Sequence, residues 1–401
     1  MAHIHLCWEL GGGLGHAVRL KGLALELQRR GHRVSLSLRE LVHTHTVLRD
    51  LDLPKLQAPV WMHKTEGLPA EQASMAEILL SCGYLVPDAL DGLVTGWRSI
   101  FSTLQPDYVV GDYAPSAAIA ARTLGLRMAM LGIGFFMPPA GVALPSLRPW
   151  EQIAPDRLRA TEARLLDSVN RVLALHGAAP VRWASDVLNA DLPLMCSWPE
   201  LDHYERPEDA LPHWYGPEFS APNGVAPAWP PGDGPRVFCY VRHAQPGAHE
   251  MLRALVEEGC AVLCYMPEVA AGMAPPVVHA SIVYSKGPVA LHDALPACAF
   301  SVNYGNHATV AQSLMHGVPC LMLPAQLEQF LMSRRVERLG AGINASALPR
   351  PVNWRAVVRR MLDDTSLRTG AATFQKRYGA VPLDQRDALL ADAIESDLRR
   401  P

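Results

Sequence analysis

Residues 4–10, Ile4-His5-Leu6-Cys7-Trp8-Glu9-Leu10, run directly into Gly11-Gly12-Gly13-Leu14-Gly15-His16, and this join decides the fold class. The first part is a short apolar run and the second a glycine turn. Beyond it Ala17, Leu20, Leu23, Ala24 and Leu27 recur on one helical face, so the order is strand, glycine loop, amphipathic helix. Gly31 closes that helix and residues 33–38 supply the next strand. Further on, 108–111 and 127–131 read as buried strands around a helix over 115–124. Such alternation predicts an α/β protein with doubly wound parallel sheets.

At 401 residues the chain exceeds what one core usually supports, and two domains of roughly 150 to 200 residues follow. The sequence is 49% hydrophobic and 19% charged, with a net charge of -3, so it lacks the basic footprint of a nucleic-acid binder. Its 8 cysteines are scattered through apolar runs without a CxxC pair, which predicts buried free thiols and a reducing cytoplasm. The amino terminus lacks the basic start and apolar core of a signal peptide. The apolar stretch 124–144 holds Arg127, Pro138 and Pro139, and reads as a buried strand and loop rather than an integral membrane segment. Oligomeric state is not legible.

A second strand and helix series starts after a stretch rich in proline and glycine. Residues 219–235 sustain neither helix nor sheet, since proline removes donors and glycine dilutes order. They read as a linker between an amino-terminal domain, 1–218, and a carboxy-terminal domain, 236–380. In the latter, strands are expected at 236–241, 261–265, 281–284 and 300–303, with a helix over 249–258. A polar helix at about 382–399, within a final segment 381–401, is placed to pack back on the first domain.

The stretch Tyr304-Gly305-Asn306-His307-Ala308-Thr309 reads as a strand that stops at a glycine turn and opens a helix. Backbone N–H groups at such a start, with the positive end of the helix dipole, suit a phosphate, and Thr309 adds a hydroxyl. A second strand-to-turn unit follows, with Gly317-Val318-Pro319, Pro324 and the pair Glu328-Gln329, whose side chains suit sugar hydroxyls or else a solvated loop. Together these features point to a nucleotide-sugar site. His3, His5, His43, His45 and His63 lack carboxylate partners at ligand spacing, so no metal is expected.

Gly15-His16, followed about fifteen residues later by Arg30-Gly31-His32, resembles the opening of the UDP-glycosyltransferase branch of GT-B enzymes. Residues 295–342, with Gly317-Val318-Pro319 and Glu328-Gln329, are similar to that branch's donor signature. Pro199-Glu200-Leu201-Asp202 and Tyr215-Gly216-Pro217 look like its approach to the interdomain linker. The resemblance implies two facing Rossmann-like domains with an interdomain cleft and an inverting hexosyl transfer. The donor it implies is a nucleotide sugar, first of all a UDP-sugar, with no bound cofactor or metal.

His16 would then be the general base that deprotonates an acceptor hydroxyl, and Asp112 the carboxylate that orients it. The bland readings are a helix-start histidine and a helix N-cap ahead of Ala114. The donor set would comprise Gly15, Tyr304, Gly305, Asn306, His307, Ala308, Thr309, Gln312, Glu328 and Gln329. Three of these depart from the family: Tyr304 stands for a diphosphate-binding histidine, Asn306 for a glycine, and Gln312 for a ribose-binding glutamate. The acceptor, a small molecule or lipid, is expected against residues 51–97 and 134–139, where Trp61, Met62, Tyr84, Trp97, Phe135 and Phe136 are either its wall or plain core. Two rival functions share the phosphate site: a sugar-nucleotide epimerase or hydrolase, and a non-catalytic nucleotide- or lipid-binding accessory protein.

Overall fold

The computed structural model describes residues 1–217, 224–382 and 385–400. These residues hold two six-stranded sheets in which every neighbouring pair of strands is parallel. The first sheet contains β1 (His3–Trp8), β2 (Arg33–Leu38), β3 (Lys55–Gln57), β4 (Tyr108–Asp112), β5 (Met128–Gly132) and β6 (Leu192–Met195) in the order β3-β2-β1-β4-β5-β6. The second contains β7 (Arg236–Tyr240), β8 (Ala261–Tyr265), β9 (Ile282–Tyr284), β10 (Phe300–Asn303), β11 (Cys320–Met322) and β12 (Gly342–Asn344) in the order β12-β11-β10-β7-β8-β9. In each sheet the winding reverses once, between β1 and β4 and between β7 and β10. Ligands of open parallel sheets bind beyond the carboxyl ends of the strands at such a switch point.

Two compact units result: Met1–Trp198 with Arg206–Gly216 and Asp384–Pro401, and Pro199–Glu205 with Pro217–Leu383. Pro199–Glu205, read from sequence as part of the first domain, clusters with the second unit, and its acidic side chains explain why. Glu200 accepts from Arg377 Nη1 at 2.6 Å and from the Tyr378 hydroxyl at 2.7 Å, while Glu205 pairs with Arg335 at 3.3 Å and with Arg338. Of the expected linker, residues 219–223 lie outside the described residues, and 226–235 contain neither helix nor strand.

Each unit closes over its own apolar core. In the first, Ile4 and Leu6 of β1, Leu36 of β2 and Val110 of β4 meet Ala17, Leu20, Leu23, Ala24 and Leu27 of the helix Gly15–Arg29. Alternate burial is absent because both faces of a parallel sheet are covered. The last helix, Arg386–Leu398, adds Leu390, Ala391 and Ile394 to this core. Residues 383, 384 and 401 of the expected terminal segment lie outside the described residues. Charges fix the helix in place: Arg30 Nη1 contacts Asp392 at 2.6 Å, His32 Nε2 contacts Glu395 at 2.9 Å, and the buried Asp397 accepts from the Tyr108 hydroxyl at 2.7 Å. The Arg30-Gly31-His32 motif thus has a local physical role as the dock for the carboxy-terminal helix.

His3 and His5 form a buried hydrogen-bonded ladder with the next strand. Ser35 Oγ lies 2.8 Å from His3 Nε2 and 2.7 Å from His5 Nδ1, and Ser37 Oγ lies 2.9 Å from His5 Nε2. All eight cysteines are free, with Cys82 and Cys298 half-buried and the others buried. Among the described residues no single helix is long and apolar enough to cross a membrane. Met75–Tyr84 and Pro87–Leu104 are long and apolar enough only together, as a pair bent by 78°.

Candidate functional site

β4 runs one residue beyond the predicted strand, and that residue is Asp112, in register with Trp8 of β1. The two strands flank the switch point, so the loop after β1 and the end of β4 converge. His16, one residue into the helix that follows the glycine loop, meets Asp112 there. Its Nδ1 is 2.8 Å from Asp112 Oδ1, and the other carboxylate oxygen accepts from Arg19 Nη1 at 2.7 Å. Asp112 is fully buried, with His16 and Arg19 largely so. Burial pushes the Asp112 carboxyl up, but Arg19 and then His16 outweigh it and hold it below its ordinary value. An ionised carboxylate only accepts, so Nδ1 carries the proton and Nε2 is left as the basic nitrogen.

The surroundings hold the imidazole in one orientation. Trp8 stacks on His16 with ring centroids 5.1 Å apart, and Phe136 lies 5.8 Å from it on a tilt. Tyr113 in turn stacks on Phe136 at 4.5 Å. A β-carbon at Gly11, where φ is +78°, would stand 2.7 Å from His16 Nε2, so the glycine lets the backbone pass beside that nitrogen. Tyr113, directly after Asp112, has φ of +47° without being glycine. Its carbonyl is fixed by Leu10 N at 2.9 Å, and this strained residue sits where the carboxylate must be aimed.

The N-cap reading of Asp112 gives way to a different carboxylate. The helix Pro115–Leu124 has Ala114 at its cap position, and Glu9 Oε2 accepts from the N–H groups of Ser116 at 2.9 Å and Ala117 at 3.4 Å. Burial pushes Glu9 up to about 7 against those bonds. Sequence reasoning passed over Glu9 because it precedes by a hundred residues the helix it caps. It also missed Arg19, although an arginine on the face shared by Ala17, Leu20, Leu23 and Ala24 was a legible signal for a buried ion pair.

The second unit assembles the residues expected to bind a donor. β10 ends at Asn303, whose Oδ1 accepts from Gly305 N at 2.8 Å and turns the chain. Gly305 has φ of +83°, and a β-carbon there would lie 2.7 Å from Gln329 O. The loop therefore rests on the helix Leu327–Arg338, which brings Glu328 and Gln329 to the Tyr304-Gly305 turn. The helix His307–Met315 then starts from an extended Asn306 with no side-chain cap, and its ladder begins at Val310 N to Asn306 O. Asn306 Nδ2 donates instead to Thr309 Oγ1 at 2.7 Å. His307, Thr309 and Gln312 are buried and Ala308 is half-buried.

Tyr304 lies edge-on to Tyr240 at 5.0 Å, and Tyr240 stacks on Tyr265 at 5.2 Å. Three tyrosines thus stand at the carboxyl ends of β10, β7 and β8, and two of them were not anticipated. Burial first, then Tyr240, raises the Tyr304 phenol, which stays a neutral donor. Gln329 Oε1 accepts from Ala325 N at 3.0 Å, so its amide NH2 is the group left for a hydroxyl. Gly15 opens the helix Gly15–Arg29 and belongs to the first unit, whereas the rest of the expected donor set belongs to the second. Of the expected acceptor wall, Tyr84 and Trp97 are fully buried core, Met62 is exposed, and Phe136 is the one that meets His16.

Residues 278–387 match the family model described as erythromycin biosynthesis protein CIII-like, C-terminal domain. The 3-alpha-mycarosylerythronolide B desosaminyl transferase of Saccharopolyspora erythraea is 32% identical over 123 residues, 30% of this chain and 28% of that protein. A PGL/p-HBAD biosynthesis glycosyltransferase of Mycobacterium tuberculosis is 25% identical over 306 residues, covering 70% of this chain and 69% of the relative. Among solved structures, the spinosyn rhamnosyltransferase SpnG complexed with thymidine diphosphate superposes with a TM-score of 0.68 at 19% identity, over 97% of this chain and 99% of that one. Two doubly wound units give this chain the GT-B fold of the glycosyltransferase structures it superposes on, its residues 278–387 match a carboxy-terminal family model, and the curated relatives it is similar to are sugar transferases.

Proposed function

We propose that the protein moves a sugar from a nucleoside diphosphate sugar to a hydroxyl of a small-molecule or lipid acceptor by a single displacement that inverts the anomeric carbon. His16 Nε2 takes the acceptor's hydroxyl proton while the oxygen forms its bond to the anomeric carbon. The bond from that carbon to the diphosphate breaks, and its electron pair leaves with the nucleotide. The observation that carries this reading is the His16–Asp112 pair at 2.8 Å, which presents Nε2 unprotonated beside Gly11.

The donor diphosphate is assigned to the start of the helix His307–Met315, with backbone N–H groups and the Tyr304 phenol as donors, and Gln312, Glu328 and Gln329 as hydroxyl partners. No step requires a metal, because these groups stabilise the departing charge. The base is read as a pyrimidine. Uracil is the first to test, with thymine beside it because the similar spinosyn enzyme was solved with thymidine diphosphate. Thermal shift against UDP, TDP and GDP tests the donor half: a ligand at about 100 times its Kd raises stability by about 2.7 kcal/mol. Selective stabilisation by one pyrimidine nucleotide supports it, and no shift with any nucleotide overturns it. Product stereochemistry tests the displacement, and retention at the anomeric carbon would reject it.

A further inference from the structure

We infer that Arg19 is a positioning residue that locks the tautomer of His16 through Asp112. The inference rests on the reading of His16 as the base. Arg19 and His16 are three residues apart on one helix and share a face, so both reach the single carboxylate at the end of β4. Each Asp112 oxygen has its own partner: Oδ1 meets His16 Nδ1 at 2.8 Å and Oδ2 meets Arg19 Nη1 at 2.7 Å. The carboxylate has no solvent exposure, and the aromatic neighbours of His16, Trp8 and Phe136, bring no charge. The nearby Glu9 is turned to Ser116 and Ala117 and compensates nothing here.

A carboxylate buried this deeply beside a neutral imidazole is costly, and it has a way out: it takes up one proton from solvent and, as a neutral acid, donates a hydrogen bond to Nδ1 while the imidazole's own proton moves from Nδ1 to Nε2. The imidazole then carries its own proton on Nε2 and no longer accepts one from an acceptor hydroxyl. Arg19 blocks that route. A guanidinium is always charged and only donates, so it keeps Asp112 an acceptor, which obliges Nδ1 to hold the proton. Arg19 touches no reacting atom. It sets which imidazole nitrogen is the base.

The test compares Arg19→Met, Arg19→Gln and Arg19→Lys in the full-length protein, with histidine tautomers read by nitrogen-15 NMR and turnover measured alongside. Thermal melts confirm which variants are folded. In the parent, His16 is expected as the Nδ1–H form. In Arg19→Met the Nε2–H form should appear and kcat should fall by about 10-fold to 10²-fold with both KM values kept, while Arg19→Lys restores both readouts. If Arg19→Met does not fold, Arg19→Gln, which keeps a donor without the charge, carries the comparison. An unchanged tautomer in a folded, uncharged variant overturns the inference. The NMR readout does not depend on turnover, so a changed tautomer with unchanged kcat upholds the lock and removes His16 as the base instead.

Discussion

The two units repeat one topology and spend it differently at the switch point. After β4 in the first unit, the helix Pro115–Leu124 starts with its N–H groups already occupied by the protein's own carboxylate, Glu9. After β10 in the second, the helix His307–Met315 has no acidic residue in its first turn and no side-chain cap. The strand-end residues differ in the same sense. Asp112 is charged and bound on both oxygens by His16 and Arg19, whereas Asn303 is neutral and turned back on Gly305 N. A helix start already occupied by the protein's own carboxylate, as at Pro115–Leu124, leaves no place for an anion from outside. One left uncapped by acid keeps such a place. The contrast supports the proposal that proton transfer belongs to the first unit and phosphate binding to the second.

The strongest way to break this division is to remove the proposed base. His16→Ala is expected to lower kcat by about 10²-fold or more while nucleotide affinity, measured by calorimetry, stays within about 2-fold. Weaker nucleotide binding of the same size would mean that the first unit also holds the donor, and the division would fail.

The next test concerns the carboxylate that fills the first helix start. Burial raises Glu9 to about 7, so its contribution to stability is full below the ordinary value of 4.5 and is lost as pH rises through 7. His5 works the other way: burial, then His3, lowers it to about 3, so stability is full above 6.5 and falls as pH drops towards 3. Glu9→Gln keeps an acceptor for Ser116 N and removes the titration. Between pH 5 and 8 in urea unfolding, the parent should lose on the order of 2 to 3 kcal/mol relative to the variant as pH rises, with the opposing His5 term common to both. An identical slope in parent and variant would show that Glu9 does not titrate in the folded protein.

How much of this was legible in the sequence follows from range. The glycine loop, the helix after it and the strands at 33–38, 261–265 and 300–303 were read from local periodicity and match β2, β8 and β10 residue for residue. His16 and the turn at Gly305 were legible because glycine marks the positions where chain direction changes. What stayed hidden is long-range: Glu9 capping a helix a hundred residues later, Tyr240 meeting Tyr304, and Glu200 leaving its neighbours for Arg377. Asp112 was open between orienting carboxylate and N-cap because its partner is 96 residues away in sequence, and only strand pairing decides between them.

Gly305→Ala probes the second switch point next. The added β-carbon meets Gln329 O at 2.7 Å in a backbone with φ of +83°, so the loop must leave the helix Leu327–Arg338. The expected cost is about 1 to 3 kcal/mol of unfolding free energy, with nucleotide binding weakened in parallel. Binding lost without a change in melting would place the glycine's role in direct ligand approach rather than in packing of the turn.

Tyr304→Phe gives the smallest and sharpest effect. The ring contact with Tyr240 at 5.0 Å depends on the aromatic face and edge, which phenylalanine keeps, so packing of the three tyrosines should survive and melting should move little. What disappears is one phenolic donor, held neutral by burial. If that hydroxyl donates to the departing diphosphate, nucleotide affinity should fall by about 0.5 to 1.5 kcal/mol, roughly 2-fold to 10-fold, with kcat at saturating donor affected no more than that. Measured with an intact nucleoside diphosphate sugar, whose two phosphates carry no proton near neutrality, the loss should be the same at pH 6 and pH 8, unlike any effect that passes through Glu9. A loss that grows with pH would mean that a titrating group shares the diphosphate, and the neutral character assigned to the second switch point would have to be given up.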